Sequence, residues 1–367
     1  MEYRTVVANL LMALYRNLDK TIPEKMQFAG ANSGNVIFTE TLKNQLVYEK
    51  EIWLNANALK EVTNPAVIIP AANFIIQGND SLMQALIRFL EQTDCPVTMA
   101  GLGAQASGDV LPAELVAGLS ETHIRAFKML SERAVSIGVR GEYTAECLNQ
   151  MGIHNMKIIG CPSFYFRRQK HSHRLKIPSL DRVQMTITPG RSEEIRILEL
   201  GMQMNASWLM QMMSEEPELA FGESEWTPET QARVKAFIER YFQGVDVSEQ
   251  ELWKYMQDKS RIFFEKKAWN QFYDEEDITF AFGSRFHGNM AAFQNGVPAL
   301  WIVHDIRTKE LVKTLHLPHI DYQRLMEILY PEELLVYCDY SDYEMNYGRL
   351  HDRYVDFLRE NHLEPQI

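Results

Sequence analysis

Cysteine is scarce in this 367-residue chain: four thiols, Cys95, Cys147, Cys161 and Cys338, stand far apart without a Cys-x-x-Cys pair. That spacing excludes a disulfide framework and a cysteine zinc site, and fits free thiols in a reducing compartment. His171 and His173 form a His-x-His in the basic loop FRRQKHSHRLK, but no third ligand is in view, so no metal is expected. Basic residues are also in deficit, 37 against 49 acidic ones, for a formal net charge of -12. This balance argues against nonspecific nucleic-acid binding, and any anionic substrate must find a locally basic pocket. Long apolar runs are missing too. The stretch VVANLLMALY is too short to cross a bilayer and no small-residue cleavage pattern follows it. It reads as a first helix docked on the core of a cytoplasmic protein, with a peripheral contact at the inner membrane face as the open alternative. Nor is there a low-complexity tract or a full Gly-x-Gly-x-x-Gly fingerprint.

What is present is enough for two complete α/β domains: 46% of residues are hydrophobic and 23% charged. NVIFTETLKNQL after AGANSG, PAVIIPAANFII, SLMQALIRFLEQ and PVTMAGLGAQ alternate helical and strand patterns, as a parallel, Rossmann-like first domain over 1–170 requires. The basic loop Arg167 to Lys176 reads as the linker. A second Rossmann-like domain over 171–340 begins its strands at RVQMTITPG and contains a helical, polar segment from 191 to 270. Within it, the methionines of LGMQMNASWLMQMM show the spacing of a packed helix. Residues 341–367 read as a C-terminal helix.

The stretch DITFAFGSRFHGNMAAFQNGVPALWIVHDIRTK reads as strand, helix and strand, with cations at both turns. ITFAFG suits a buried strand, Ser284 is a candidate N-cap, and Gly296-Val297-Pro298 ends the helix. Arg285 and His287 then fall in the first helical turn, where free N–H groups and the helix dipole favour a phosphate or carboxylate. Phe286, Met290 and Phe293, at i, i+4 and i+7, bury the helix against the sheet. AVSIGV followed by Arg140 and GEYTAECLNQMG repeats the pattern. Ligands bind at the carboxyl edge of open parallel sheets, so two such domains facing each other converge Arg140 and Arg285 on one cleft. One such arginine alone reads as a surface cap or pair; the repetition favours a site. Asn32-Ser33-Gly34-Asn35 and Gly103-Ala104-Gln105 occupy turns at the same edge, and equally fit tight turns without a ligand.

These motifs, SIGVRGEYTAECLNQMG with IIGCPS, then FGSRFHGNMAAF and GVP, then HDIRTKEL, resemble the polysaccharide pyruvyl transferase family. The resemblance runs from about residue 32 to Leu311 and is thin between about 191 and 265. It implies a glycosyltransferase B-like pair of Rossmann-like domains. It also implies transfer of the pyruvyl group of phosphoenolpyruvate to two hydroxyls of a saccharide, as a cyclic ketal, with no other cofactor. The acceptor it implies is a cell-surface polysaccharide or its precursor, free or lipid-linked. The family's Arg-Leu-His motif falls on Arg285, Phe286 and His287, within a binding turn running from Ser284 through Gly288 and Asn289, and a further arginine falls on Arg140. Two departures stand out. Phe286 replaces the usual leucine, and Cys161 stands in a Gly-Cys-Pro where many members have Gly-Asp-Pro, so that turn is assigned no catalytic role. His287 is then the candidate acid, because a neighbouring phosphate raises its pKa. Asp305 is the candidate base or, equally, the partner that orients Arg307, which adds to the basic cleft. A nucleotide-sugar glycosyltransferase and a non-catalytic glycan-binding protein are the rival readings of this fold.

Overall fold

The computed structural model describes residues 2–78, 80–106, 108, 110–165, 175, 177–188, 194–212, 216–222 and 225–367. Its strands form two six-stranded sheets in which every pairing is parallel. The first comprises β1 (Arg4–Ala8), β2 (Lys50–Ile52), β3 (Pro65–Pro70), β4 (Val97–Leu102), β5 (Ile137–Val139) and β6 (Met156–Ile158), in the order β2-β1-β3-β4-β5-β6. The second comprises β7 (Val183–Thr186), β8 (Ser207–Leu209), β9 (Ser260–Arg261), β10 (Phe280–Gly283), β11 (Ala299–Val303) and β12 (His319–Asp321), in the order β9-β8-β7-β10-β11-β12. Counted within its own domain, the second sheet has the 3-2-1-4-5-6 order of a Rossmann fold. The first has the flavodoxin-like order 2-1-3-4-5 with one strand added. Two Rossmann-like α/β domains therefore face a cleft in a glycosyltransferase B-like arrangement.

Local chemistry accounts for the elements. β4 is buried along its whole length and β3 along all but its first residue, as continuous apolar runs must be when helices cover both faces. The helix Asp80–Glu91 buries Met83, Leu86, Ile87 and Leu90 on one face, the 3.6-residue period of a covering helix. β10 ends on Gly283 at φ 139°, where an added Cβ would lie 1.9 Å from the Thr186 carbonyl oxygen. Only glycine allows the ends of β7 and β10 to approach so closely.

Two expectations are corrected. VVANLLMALY is not a first helix: its Val-Val pair belongs to β1, bonded to β2 on one side and β3 on the other, and the helix that follows covers only Met12–Tyr15. β-branching favours the strand, and Asn9 ends it by accepting from the Leu11 N–H at 2.8 Å. Val6, Val7 and Ala8 are fully buried and cannot meet a membrane. The methionine-rich run is likewise not one helix. Its helix stops at Gln203, Asn205 takes a left-handed turn at φ 52°, and the chain re-enters the sheet as β8. The other described residues of 191–270 are mostly helical. The loop Arg167–Lys176, apart from Leu175, lies outside the described residues, as do His171 and His173.

The C-terminal helix Ser341–Glu360 packs back on the first domain, where Tyr354 stacks on Tyr165 at 4.1 Å and Glu360 bonds Ser136 and Lys157. One apolar cluster runs from Val7 and Ile68 in the first sheet to Ala299 and Trp301 in the second. Among the described residues, no helix is long and apolar enough to cross a membrane, and no group of His, Cys, Asp or Glu could hold a metal ion.

Candidate functional site

The carboxyl ends of the strands point at one recess between the domains. It is lined by Asn32 and Asn35 after β1, Ala72 and Asn73 after β3, Arg140 after β5, Gln211 after β8, Arg285, Phe286 and His287 after β10, and Arg307 with Leu311 after β11. The topological switch points lie between β1 and β3 in one sheet and between β7 and β10 in the other, and the recess sits at both. Its volume is small, about 30 Å³. Among the described residues the lining includes three arginines and no aspartate or glutamate.

Arg140 is 2% exposed, and its guanidinium donates to Asn73 Oδ1 while Nε has no hydrogen-bond partner. Asn73 in turn donates to Gln105 Oε1 at 2.9 Å, so Gln105 supports the arginine from behind. A Cβ on Gly103 would lie 2.7 Å from Arg140 Cδ; glycine there makes room for the side chain. Arg285 is the N-cap residue of the helix Phe286–Gln294, with Nε donating to the Ile187 carbonyl at 3.4 Å. Arg307 pairs with Asp305 at 3.3 Å through one terminal nitrogen, and its Nε has no partner. Buried donors without acceptors are costly, and three of them, Arg140 Nε, Arg307 Nε and Gln211 Nε2, belong to residues that line this recess. An anion is the ligand that would satisfy them.

Of the other expected residues, Ser284, Asn289, Gly34 and Gly288 stand behind the lining, whereas Phe286, Asn32 and Asn35 belong to it. Ser284 does not cap the helix, because its hydroxyl donates to the buried Glu194 carboxylate at 2.7 Å. Asn289 is fully buried and clamps β10 to β11 by donating to the Gly283 and Leu300 carbonyls at 2.9 and 3.1 Å; it is not placed to meet a ligand. Gly34 and Gly288 flank Gln211: an added Cβ would lie 2.6 Å from its Oε1 or 2.2 Å from its Nε2. Phe286 packs on Trp301, whose indole N–H donates to the Phe286 carbonyl at 3.2 Å. Asn32 Oδ1 accepts from the Gly34 N–H at 2.9 Å, and Asn35 Nδ2 donates to the Ala29 carbonyl at 3.0 Å; both shape the turn before the helix Asn35–Lys43.

No family model and no curated protein matches the chain. Among solved structures it is similar to the UDP-N-acetylglucosamine 2-epimerase from Rickettsia bellii (TM-score 0.43, 10% identity, over 98% of this chain and 96% of that one). It is also similar to the UDP-GlcNAc 2-epimerase from Methanocaldococcus jannaschii (TM-score 0.39, 11% identity, 90% and 92%) and to a UDP-glucosyltransferase from Polygonum tinctorium (TM-score 0.30, 9% identity, 95% and 76%). At these TM-scores the likenesses carry no inference about chemistry, and the architecture rests on the strand orders above.

Electrostatics separates the titratable groups. Burial, then the positive Arg140 and Arg307, holds His287 well below its usual 6.5, so the imidazole is neutral in this structure. Burial pushes the Asp305 carboxyl up, but Arg307, His304 and Thr308 outweigh it and hold the group well below the usual carboxylate range. Asp305 caps the helix Ile306–Thr314 by accepting from the Thr308 N–H at 2.8 Å, which suits a partner for Arg307 better than a proton acceptor. Glu310, one helical turn further on, reaches across the cleft and accepts from the Thr144 amide at 3.1 Å and hydroxyl at 2.6 Å. Burial raises it to about 7 despite these bonds. The Gly-Cys-Pro turn, given no role from sequence, lies against the site: Cys161 Sγ is 3.4 Å from His287 Nε2.

Asn73 and Gln211 are the polar lining residues that sequence reasoning missed. Each follows an apolar strand run, the same signal that singled out Arg140; for Gln211 it was hidden inside the methionine-rich stretch.

Proposed function

We propose that this protein is a pyruvyltransferase that moves the pyruvyl group of phosphoenolpyruvate onto two hydroxyls of a saccharide, in a cell-surface polysaccharide or its precursor. The observation that supports this reading is the recess itself, small and cationic, with Arg140, Arg285 and Arg307 around His287 and, among the described residues, no carboxylate in its lining. Phosphoenolpyruvate is compact and carries a carboxylate and a phosphate a few atoms apart, so it calls for converging guanidinium groups and free donors. A nucleotide sugar calls for room for base and ribose, usually with a carboxylate for the ribose hydroxyls. A lipid-linked acceptor would bring the enzyme to the inner membrane face.

In this reading the arginines hold phosphate and carboxylate, and the added negative charge raises the His287 pKa so that the ring takes up a proton. His287 gives that proton to the methylene carbon C3. One sugar hydroxyl attacks the oxocarbenium-like C2; the C2–O bond to phosphate then breaks, and the second hydroxyl closes the ring. The two hydroxyls release two protons, of which one returns to His287 and the other leaves with phosphate. Arginines neutralise the departing phosphate.

Calorimetric titration with phosphoenolpyruvate tests the donor, with a mixture of nucleotide sugars as comparison. Heat of binding from phosphoenolpyruvate that Arg285→Ala loses is the expected result. Binding of a nucleotide sugar alone would overturn the reading.

A further inference from the structure

Cys161 follows Gly160 at the end of β6, on the first domain, whereas His287 belongs to the second. Both side chains are buried, and the contact between them crosses the cleft. We propose that Cys161 fixes the tautomer of the neutral, unliganded His287: its S–H donates to Nε2, so the ring proton sits on Nδ1, the nitrogen left to serve the ligand recess. When a bound anion protonates the ring, the second proton goes to Nε2 and the sulfur turns to accept from it. The proposal rests on the reading of His287 as the group that meets phosphoenolpyruvate.

The direction of the bonds follows from what each group has available. Ser163 is fully buried, and its Oγ lies 3.0 Å from Cys161 Sγ. A buried hydroxyl proton needs an acceptor, and the sulfur is the one in reach. The thiol then passes its own hydrogen onward to the unprotonated ring nitrogen, a far better acceptor than sulfur. Burial keeps the thiol protonated, the nearby Arg140 charge notwithstanding, and the imidazole is neutral for the reasons given above. The order Ser163 O–H to Cys161 S–H to His287 Nε2 is the one in which every hydrogen has a place.

The ring is also hard to turn over. Phe38, from the first domain, lies 5.2 Å from its centroid, and Phe286 meets it edge to face at 5.3 Å. With rotation hindered, the bond at one ring nitrogen decides which atom carries the proton at the other, as at many histidine sites. Cys161 is thus a positioning residue acting through His287.

Long-range proton–nitrogen correlation spectra of ¹⁵N-labelled full-length protein read the tautomer directly, with His287→Gln identifying the resonance. The Nδ1–H form is expected in the native chain. Cys161→Ala should shift the ring toward Nε2–H, and Cys161→Ser should retain Nδ1–H, because a hydroxyl can donate in the same direction. In turnover, Cys161→Ala should lower kcat about tenfold with KM for phosphoenolpyruvate within about twofold, and Cys161→Ser should recover part of it. An Nε2–H ring in the native protein, or an unchanged tautomer in both Cys161 variants, would overturn the proposal. The spectra need no substrate. A protein that binds no phosphoenolpyruvate but shows the expected tautomers would therefore remove the donor reading and leave the Cys161 assignment standing.

Discussion

Arg285 and His287 are neighbours on one turn, yet their replacements should be told apart by different measurements. Arg285→Ala removes a bidentate donor and should weaken phosphoenolpyruvate by about tenfold or more, seen as a loss of binding heat. His287→Gln keeps a neutral donor and should lower kcat by roughly a hundredfold or more if the ring is the acid. Lost turnover with retained glycan binding would also exclude a purely binding protein. The pH behaviour follows from the sign of the shift. His287 has its pKa depressed below 6.5 by burial and two arginines, and an anion between those arginines reverses that effect. Binding of phosphoenolpyruvate near pH 7 should therefore take up a proton, and affinity should fall as pH rises. Titrations in buffers of different ionisation enthalpy would show this as a buffer-dependent heat. A buffer-independent heat would reduce His287 to a hydrogen-bond donor.

The helix Ile306–Thr314 joins site and interface, since Arg307 lines the recess and Glu310 bonds Thr144 of the facing domain. Burial pushes Glu310 up to about 7 in the fold from an ordinary 4.5, so the folded protein holds the extra proton between those pH values. The stabilisation is complete below the unfolded pKa and is lost as pH rises through about 7, by up to about 3 kcal/mol. Glu310→Gln should flatten this part of the stability curve in chemical denaturation at pH 5, 6, 7 and 8. An unchanged slope would mean that the carboxyl is ionised throughout. This latch was not legible in the sequence, because nothing in HDIRTKEL distinguishes a glutamate that crosses the cleft from one in solvent. The strands were more readable. β10 and β11 stood out as β-branched and aromatic runs, and the convergence of Arg140 and Arg285 followed from the rule that parallel sheets bind at their carboxyl edge. β1 and β8 were misread, since a five-residue and a three-residue strand lie inside apolar runs whose neighbours carry helical spacing. Pairing partners far away in sequence decide such cases. The Cys161 contact was hidden for the same reason: 126 positions separate it from His287.

At the scale of the molecule, the two domains share one apolar cluster, and bonds such as Gln294 to Ser163 at 2.6 Å and Lys266 to Thr41 at 2.8 Å cross between them. They should unfold together. Scanning calorimetry should show one transition that phosphoenolpyruvate raises, by about 2.7 kcal/mol of added stability at a hundredfold excess over Kd. Two separate transitions would mean that the interface contributes little. The recess is only a few water molecules in size, so phosphoenolpyruvate must enter while the cleft is more open, and scattering profiles should differ with and without it. Identical profiles would place the adjustment in side chains alone. The helix Ser341–Glu360 adds a last consequence. Tyr165 lies under Tyr354, and Ser136 and Lys157 bond Glu360, so during synthesis this domain lacks its cover until the helix Ser341–Glu360 has been translated. Nascent chains stalled before residue 341 should therefore present that uncovered face to chaperones, even though all six strands of the first sheet have already emerged.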